Sequence, residues 1–373
     1  MVVGILKENE SRVSVIPSDL VALKKMGVAR ILIEQGAGNA SFSPDSAYQE
    51  TGGEIASRHD VISQSDLLLC IHSPSPEELK EVRKESVLIG QFNPLQDHSI
   101  IDTFSGTGHT VFSMELIPRT TRAQAMDVLS SMAMLAGYKA VLMAANQLPH
   151  MFPMSMTAAG SIKPAKLLIL GAGVAGLQAI ATGRRLGAVV EAFDVRAAAR
   201  EEVESLGAKF VAVEGAIDDA KAGGYAVEQT DEYKQRQAEL IADHAAKADV
   251  VICTAQIPGR KAPLLITAET VQRMKPGSVV IDLAASTGGN CAHTRNGEVV
   301  IENGVSIMGY SDLPSTLSAD ASKMLSKNLI NFVTLLIKEG ELVLNFEDDI
   351  VAGTCLTRNG ELVNARLKQI LNR

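Results

Sequence analysis

The chain has 373 residues, 46% hydrophobic and 21% charged, with 30 Gly and 13 Pro, so it can bury a full core and is too long for one ordinary domain. With 35 basic and 43 acidic residues its formal charge is -8, which argues against a nucleic-acid ligand, and 4% aromatic residues with no Trp suit an α/β enzyme better than a β-sandwich. Cys70, Cys253, Cys291 and Cys355 form no CxxC and the seven His share no metal-ligand spacing, so the reading is reduced thiols, no metal and a cytosolic setting.

Taken in chain order, residues 2–6 open directly as a strand-like run, without the charged, apolar and cleavage regions of a signal peptide. No apolar run reaches the roughly eighteen residues that span a bilayer. Short apolar runs at 31–34, 67–72, 87–91 and 111–114 alternate with helical stretches such as 20–26, which predicts βα units and a mainly parallel sheet. Residues 121–145 read as one continuous helix, interrupted only by Gly137, that is long enough to bridge two domains. The pattern then repeats more cleanly, with strands predicted at 166–170, 189–193, 209–213, 250–254, 279–283 and 306–309, as in a doubly wound sheet. Residues 214–230 carry Gly215, Gly223 and Gly224 without an apolar period and read as a mobile loop over a site. A second crossing near 311–318 leads into an amphipathic helix at 319–338, with Met324, Leu325, Leu329, Phe332, Val333 and Leu336 on its apolar face. The expected architecture is α/β, with two Rossmann-like doubly wound parallel-sheet domains facing a cleft. The first is discontinuous, 1–130 plus 318–373, and the second is 131–317. Residues 327–337 offer an apolar helix face for a dimer interface.

The chemistry concentrates in two segments. Gly171-Ala172-Gly173-Val174-Ala175-Gly176 follows the apolar strand at 166–170 and opens a helix. In that setting Gly171 permits the tight turn, Gly173 leaves room for a pyrophosphate, Gly176 lets helix and strand approach, and the free helix amides face the phosphates. The competing reading is a glycine turn with no ligand. Asp194, eighteen residues beyond Gly176, stands where a carboxylate accepts both hydroxyls of an adenosine ribose and repels a 2′-phosphate. That favours NAD over NADP, and the cation Arg196 softens the preference. The other segment runs from Pro118 through Arg119, Thr120, Thr121 and Arg122 to Asp127. Within it Gln124, Asp127 and Ser131 would share one helical face. Thr121 with Gln124 also matches a capping box, in which Gln124 only satisfies a backbone amide. The methionines 126, 132, 134, 143, 151, 154 and 156 read as core filling, and no Ser-His-Asp or Cys-His set stands out.

These segments together, PRTTRAQAMD at 118–127, Met156-Thr157-Ala158-Ala159-Gly160, the fingerprint at 171–188, Asp194-Val195-Arg196, Gly223-Gly224-Tyr225-Ala226 and Gly288-Gly289-Asn290-Cys291, resemble the NAD(H)-binding component of proton-translocating nicotinamide nucleotide transhydrogenase. The resemblance covers nearly the whole chain. It implies a subunit that binds NAD(H) and passes hydride directly to NADP held by a partner, so that no side chain need act as acid or base. It further implies a homodimer, an NADP(H)-binding beta subunit and a membrane-spanning alpha-2 subunit, with this chain peripheral on the cytoplasmic face. By that resemblance Arg119 faces the nicotinamide carboxamide, with Thr120 and Thr121 beside it. Gln124 sits at the hydride-transfer junction, and Asp127 and Ser130 hold the nicotinamide end. Ala172 to Val174 contact the pyrophosphate, and Asp194, Val195 and Arg196 the ribose. Gly224 and Tyr225 close over the nucleotide, and Gln237 and Gln256 are further contacts, Gln256 standing where Leu is common. Alanine dehydrogenases are the expected fold relatives. Here, however, His72 takes the position of their substrate-binding Lys and Asn93 that of their His, which disfavours amino-acid oxidation. An amino-acid dehydrogenase with His72 as base and a non-catalytic NAD(H)-sensing module are the competing readings.

Overall fold

The computed structural model describes residues 1–213, 230–257 and 259–371. The chain forms two compact units, one of Met1–Met132 with Ser315–Arg373 and one of Ala133–Pro314. Both are built on a largely parallel sheet, so the fold class is α/β with two parallel-sheet domains.

The first unit has an eight-stranded sheet. In spatial order its strands are Glu361–Leu362, Cys355–Arg358, Thr110–Ser113, Val87–Gly90, Leu67–Leu69, Val2–Ile5, Arg30–Glu34 and Glu54–Ala56. Those between residues 2 and 113 pair in parallel, whereas Cys355–Arg358 runs antiparallel to Thr110–Ser113. Central strands such as Leu67–Leu69 and Val87–Gly90 are buried along their whole length, as expected of strands covered on both faces. The edge strands Glu54–Ala56 and Glu361–Leu362 are short and partly exposed, and their weak apolar pattern is why sequence reading passes over them.

The second unit has a seven-stranded sheet, in the order Lys209–Val211, Val189–Phe193, Lys166–Leu170, Val250–Cys253, Val279–Asp282, Val305–Gly309 and Val299–Glu302. The chain winds outward from Lys166–Leu170 in one direction, then returns to its other side at Val250–Cys253. That reversal is the topological switch point of a doubly wound sheet, and the carboxyl ends of these two strands are where such folds bind ligands. The unpredicted strand Val299–Glu302 is an antiparallel edge with alternating exposure. A separate hairpin, Ser155–Thr157 with Gly160–Ile162, leaves Met156 and Ile162 exposed.

Several expectations change. Residues 121–145 are not one helix: a 3₁₀ turn spans Thr121–Met126, Asp127 turns to extended backbone (ψ 93°), and the α-helix is Val128–Gln147. The break has a local cause. The Asp127 carboxylate accepts hydrogen bonds from Ser130 N at 3.0 Å and Ser130 Oγ at 2.6 Å, so it caps the second helix and does not sit within the first. Gln124 and Asp127 therefore do not share a helical face with Ser131, and Thr120, which precedes the turn, makes no side-chain cap. No capping box forms. The helix Val128–Gln147 is, by length and composition, apolar enough to cross a bilayer, contrary to the sequence reading, and among the described residues it is the one helix that is. Its Ala136, Ala140, Val141 and Ala144 lie in the core of the second unit, and a Cβ on Gly137 would stand 2.1 Å from Ala175 O, so close backbone packing explains that glycine. The last long helix is Ser318–Val333, shorter than predicted, because Ile337–Lys338 turns into a small antiparallel pair. Leu329, Phe332, Val333, Leu336 and Ile337 are buried within the first unit, so the face expected to meet a second copy is already covered.

The loops at the carboxyl edge of the second sheet are held by Asp282, which is fully buried. Its carboxylate accepts from Ala284 N, Asn290 N, Cys291 N and Thr294 Oγ1 at 2.6–3.0 Å. Asn290 in turn donates to Ala255 O and Pro263 O and accepts from Ala255 N. Each buried donor left unpaired costs about 1–3 kcal/mol, so Asp282→Asn is expected to destabilise the chain by more than about 2 kcal/mol. Urea denaturation measures this, and a loss below about 0.5 kcal/mol would contradict the network.

Candidate functional site

The glycine turn lies at the carboxyl end of Lys166–Leu170 and runs into the helix Val174–Arg185. Gly171 has φ +101°, and a Cβ there would meet Thr254 Oγ1 at 2.5 Å. A Cβ on Gly176 would stand 1.9 Å from Gly171 O, so that position is closed to any side chain. Gly173 is the opposite case: among the described residues nothing lies within 4 Å of a Cβ built there. It is also the N-cap of the helix and offers no side-chain acceptor to the first-turn amides. Open space in front of an uncapped helix N-terminus is the geometry that receives an anionic group, and at the switch point it fits a pyrophosphate.

Asp194 follows the neighbouring strand. Its Oδ2 accepts from Ala172 N at 2.7 Å, which ties the glycine turn to that strand. Arg196 closes over the same carboxylate, donating from its backbone N and from Nε to Oδ1 at 2.8 and 2.9 Å and from Nη2 to Oδ2 at 2.8 Å. The Asp194 side chain is 6% exposed and that of Arg196 26%, so access to the carboxylate passes through the guanidinium. Val195 is half-buried against the core. Gln256 is exposed and donates to Leu283 O at 2.8 Å, and Gln237 is half-buried on the helix Asp231–Ala245. Gly224, Tyr225 and the loop expected at 214–229 lie outside the described residues.

The remaining candidates belong to the first unit. Arg119, Thr120, Thr121 and Gln124 are exposed, while Ala123 and Met126 anchor the turn inward. Among the described residues the Gln124 side chain makes no hydrogen bond, so it is available to another molecule. Arg122, grouped with this polar segment from sequence, is a structural anchor: Nη1 and Nη2 each reach an Asp348 oxygen at 2.7 Å, and Asp349 lies beside it. The two amides of Asn328 and Asn331 both donate to Ala125 O at 2.9 Å. These anchors lie more than two hundred residues away in sequence, which is why no local signal reveals them.

A further polar group occupies the carboxyl edge of the first sheet. His72 Nε2 lies 3.0 Å from Glu10 Oε1, and Arg12 grips the same carboxylate through Nε and Nη2. Burial pushes Glu10 up, but hydrogen bonds from His72 and Arg12 outweigh it and hold the carboxyl at about 2. The Glu10 hydrogen bond raises His72, against burial. Burial also raises Glu8, although it accepts the amides of Ile71 and His72, and raises Glu115, which Ser113 contacts. Asn93, with φ +52°, donates from Nδ2 to Gln96. His72 is thus committed to a carboxylate, and Asn93 has no titratable nitrogen with which to move a proton. Among the described residues no set of His, Cys, Asp and Glu is placed to hold a metal.

Comparison with known proteins follows the same division. Residues 4–136 match the family described as Alanine dehydrogenase/PNT, N-terminal domain, and residues 140–365 its C-terminal domain. The chain is 43% identical to the first of the separately encoded pieces of the NAD(P) transhydrogenase alpha subunit of Rhodospirillum rubrum, over 98% of this chain and 99% of that one. The crystal structure of transhydrogenase from Sinorhizobium meliloti superposes with a TM-score of 0.88 at 45% identity, covering 97% of this chain and all (100%) of that one. An L-alanine dehydrogenase structure gives a TM-score of 0.83 at 23% identity, covering 100% of this chain and 99% of that one, a likeness of fold.

The glycines separate stability from ligand binding. Gly176→Ala, forced against Gly171 O, is expected to destabilise the second unit by about 1–3 kcal/mol. Gly173→Ala is expected to leave the melting temperature nearly unchanged while weakening dinucleotide binding at least about tenfold, since its methyl group enters the open cradle. Thermal melts with and without nucleotide measure both, and equal behaviour of the two variants would contradict the assignment.

Proposed function

The chain belongs to the alanine dehydrogenase/PNT family and, within it, to the NAD(P) transhydrogenase alpha subunits, and from that premise we propose that it binds NAD(H) and exchanges hydride with NADP(H) held by a partner subunit. The observation that carries the reading is the open, uncapped cradle at Gly173 beside the Asp194 carboxylate, at the switch point of the second sheet. The nicotinamide ring, when bound, supplies the hydride chemistry. The chain's own residues bind and orient. Amides from Ala172 to Val174 hold the pyrophosphate, and Asp194, Val195 and Arg196 hold the adenosine ribose. Gln237 and Gln256 extend the contact along the nucleotide, and Gly224 with Tyr225 cover it. Arg119, Thr120 and Thr121 serve the carboxamide end. Asp127 and Ser130, already hydrogen-bonded to each other, act as one polar group toward the nicotinamide ribose end. Gln124, exposed and without an internal partner among the described residues, meets the NADP(H)-bearing subunit.

NAD is preferred over NADP in this reading because a 2′-phosphate would approach the Asp194 carboxylate. The assembly comprises a homodimer, an NADP(H)-binding beta subunit and a membrane-spanning alpha-2 subunit that couples hydride transfer to proton translocation. This chain is peripheral on the cytoplasmic face. The hairpin at 155–162, with Met156 77% exposed and Ile162 also exposed, is an apolar surface suited to a second copy, and it replaces the covered helix as the dimer contact.

The test mixes the purified chain with a purified NADP(H)-binding transhydrogenase component and follows NADPH-driven reduction of an NAD analogue with a distinct absorbance. Turnover that needs both proteins is expected; none, despite NADH binding, would overturn the reading. In the same assay Gln124→Asn is expected to keep NADH affinity within about twofold and to lower transfer about tenfold or more. Equal loss of both would remove Gln124 from the junction.

A further inference from the structure

The 3₁₀ turn Thr121–Met126 carries Gln124 outward, and its backbone is fixed from two sides by the segment that returns to the first unit. On one side Arg122 is paired with Asp348, whose Oδ1 also accepts Ile350 N and Val351 N at the start of the helix Asp349–Thr354. On the other side stands the helix Ser318–Val333, where Asn328 and Asn331 are three residues apart and so share a face. Both amide nitrogens donate to one acceptor, Ala125 O, each at 2.9 Å. Carbonyls at the end of a turn have no partner within it, and here both lone pairs of one such carbonyl are taken by a single distant helix. Asn328 is 4% exposed, and among the described residues its Oδ1 finds no hydrogen-bond partner. An amide kept for stability alone would satisfy its acceptor too; this one is oriented by the turn.

We propose that Asn328 and Asn331 are positioning residues for hydride transfer, a clamp on Ala125 that sets the direction in which Gln124 faces the partner subunit. This rests on the role given to Gln124 above. Neither asparagine touches nucleotide. Their effect passes through the peptide that joins Gln124 to Ala125.

The experiment uses the full chain with the NADP(H)-binding component, and measures NADH affinity, single-turnover hydride transfer and melting temperature for Asn331→Ala, Asn331→Asp and Asn328→Asp. Asn331 is the more exposed of the two, so its variants fold even if the buried Asn328 variant does not. The expected result is NADH affinity within about twofold of the wild type and transfer about tenfold slower in Asn331→Ala. Asn331→Asp, which keeps the size but loses the donor, should be at least as slow; a packing role would leave it near wild type. Added to Gln124→Asn, Asn331→Ala should cause no further loss, because both act through the same side chain. Wild-type transfer rates in the Asn331 variants, or losses that multiply with Gln124→Asn, overturn the clamp alone. Absence of transfer by the wild-type chain overturns the underlying reading and the clamp with it.

Discussion

The hydrogen bond from Ala172 N to the Asp194 carboxylate joins the two halves of the second unit's site. It ties the turn after one strand to the end of its neighbour, and so fixes where the helix Val174–Arg185 begins and where its amides point. The same carboxylate is paired with Arg196 and is almost fully covered. Hydrogen bonds to a charged group contribute roughly 1.5–3 kcal/mol, so a ribose that takes its place at Asp194 must compete with a guanidinium of comparable strength. Arg196 therefore modulates access to the group that reads the ribose, and the selectivity of the site reflects the pair and not Asp194 alone.

The polar candidates divide between the units. The second provides the cradle, and the fully buried Asp282 with Asn290 holds the loops around its carboxyl edge. The first provides the segment from Arg119 to Ser130, in which a 3₁₀ turn is stopped at Asp127 because its carboxylate begins the next helix. Of the side chains in that turn, Ala123 and Met126 point inward, Arg122 is held by aspartates, and Gln124 is left outward. This division of labour suits a protein that binds one reactant and presents it to another, since the polar groups available are ones that orient rather than ones that titrate.

The fingerprint was legible from sequence because each of its glycines answers a separate steric demand, and the structure displays those demands one by one: a positive φ at Gly171, open space at Gly173, and a carbonyl pressed against Gly176. The parallel strands were legible because strands covered on both faces are continuous apolar runs. The short edge strands were not, since Val299–Glu302 alternates and Glu54–Ala56 is half exposed. Nor was the break at Asp127, because an aspartate in a run without Gly or Pro reads equally as helix interior or as cap until its side chain is seen on Ser130. The partners of Arg122 and Ala125 lie in the returning segment and have no local trace. The polar group around Glu10 shows the converse limit. His72 was visible as a substitution for Lys, but only the geometry shows it bound to a carboxylate that Arg12 already holds.

The role of Asp194 is tested most directly by calorimetric titration of NADH and of NADPH into the wild-type chain and into Asp194→Asn. The wild-type chain is expected to bind NADH at least about tenfold more tightly than NADPH. The substitution should weaken NADH and narrow the gap, because the carboxylate that accepts the ribose hydroxyls and repels a 2′-phosphate is gone. An unchanged ratio in Asp194→Asn, or equal affinity for the two nucleotides in the wild type, would contradict that role.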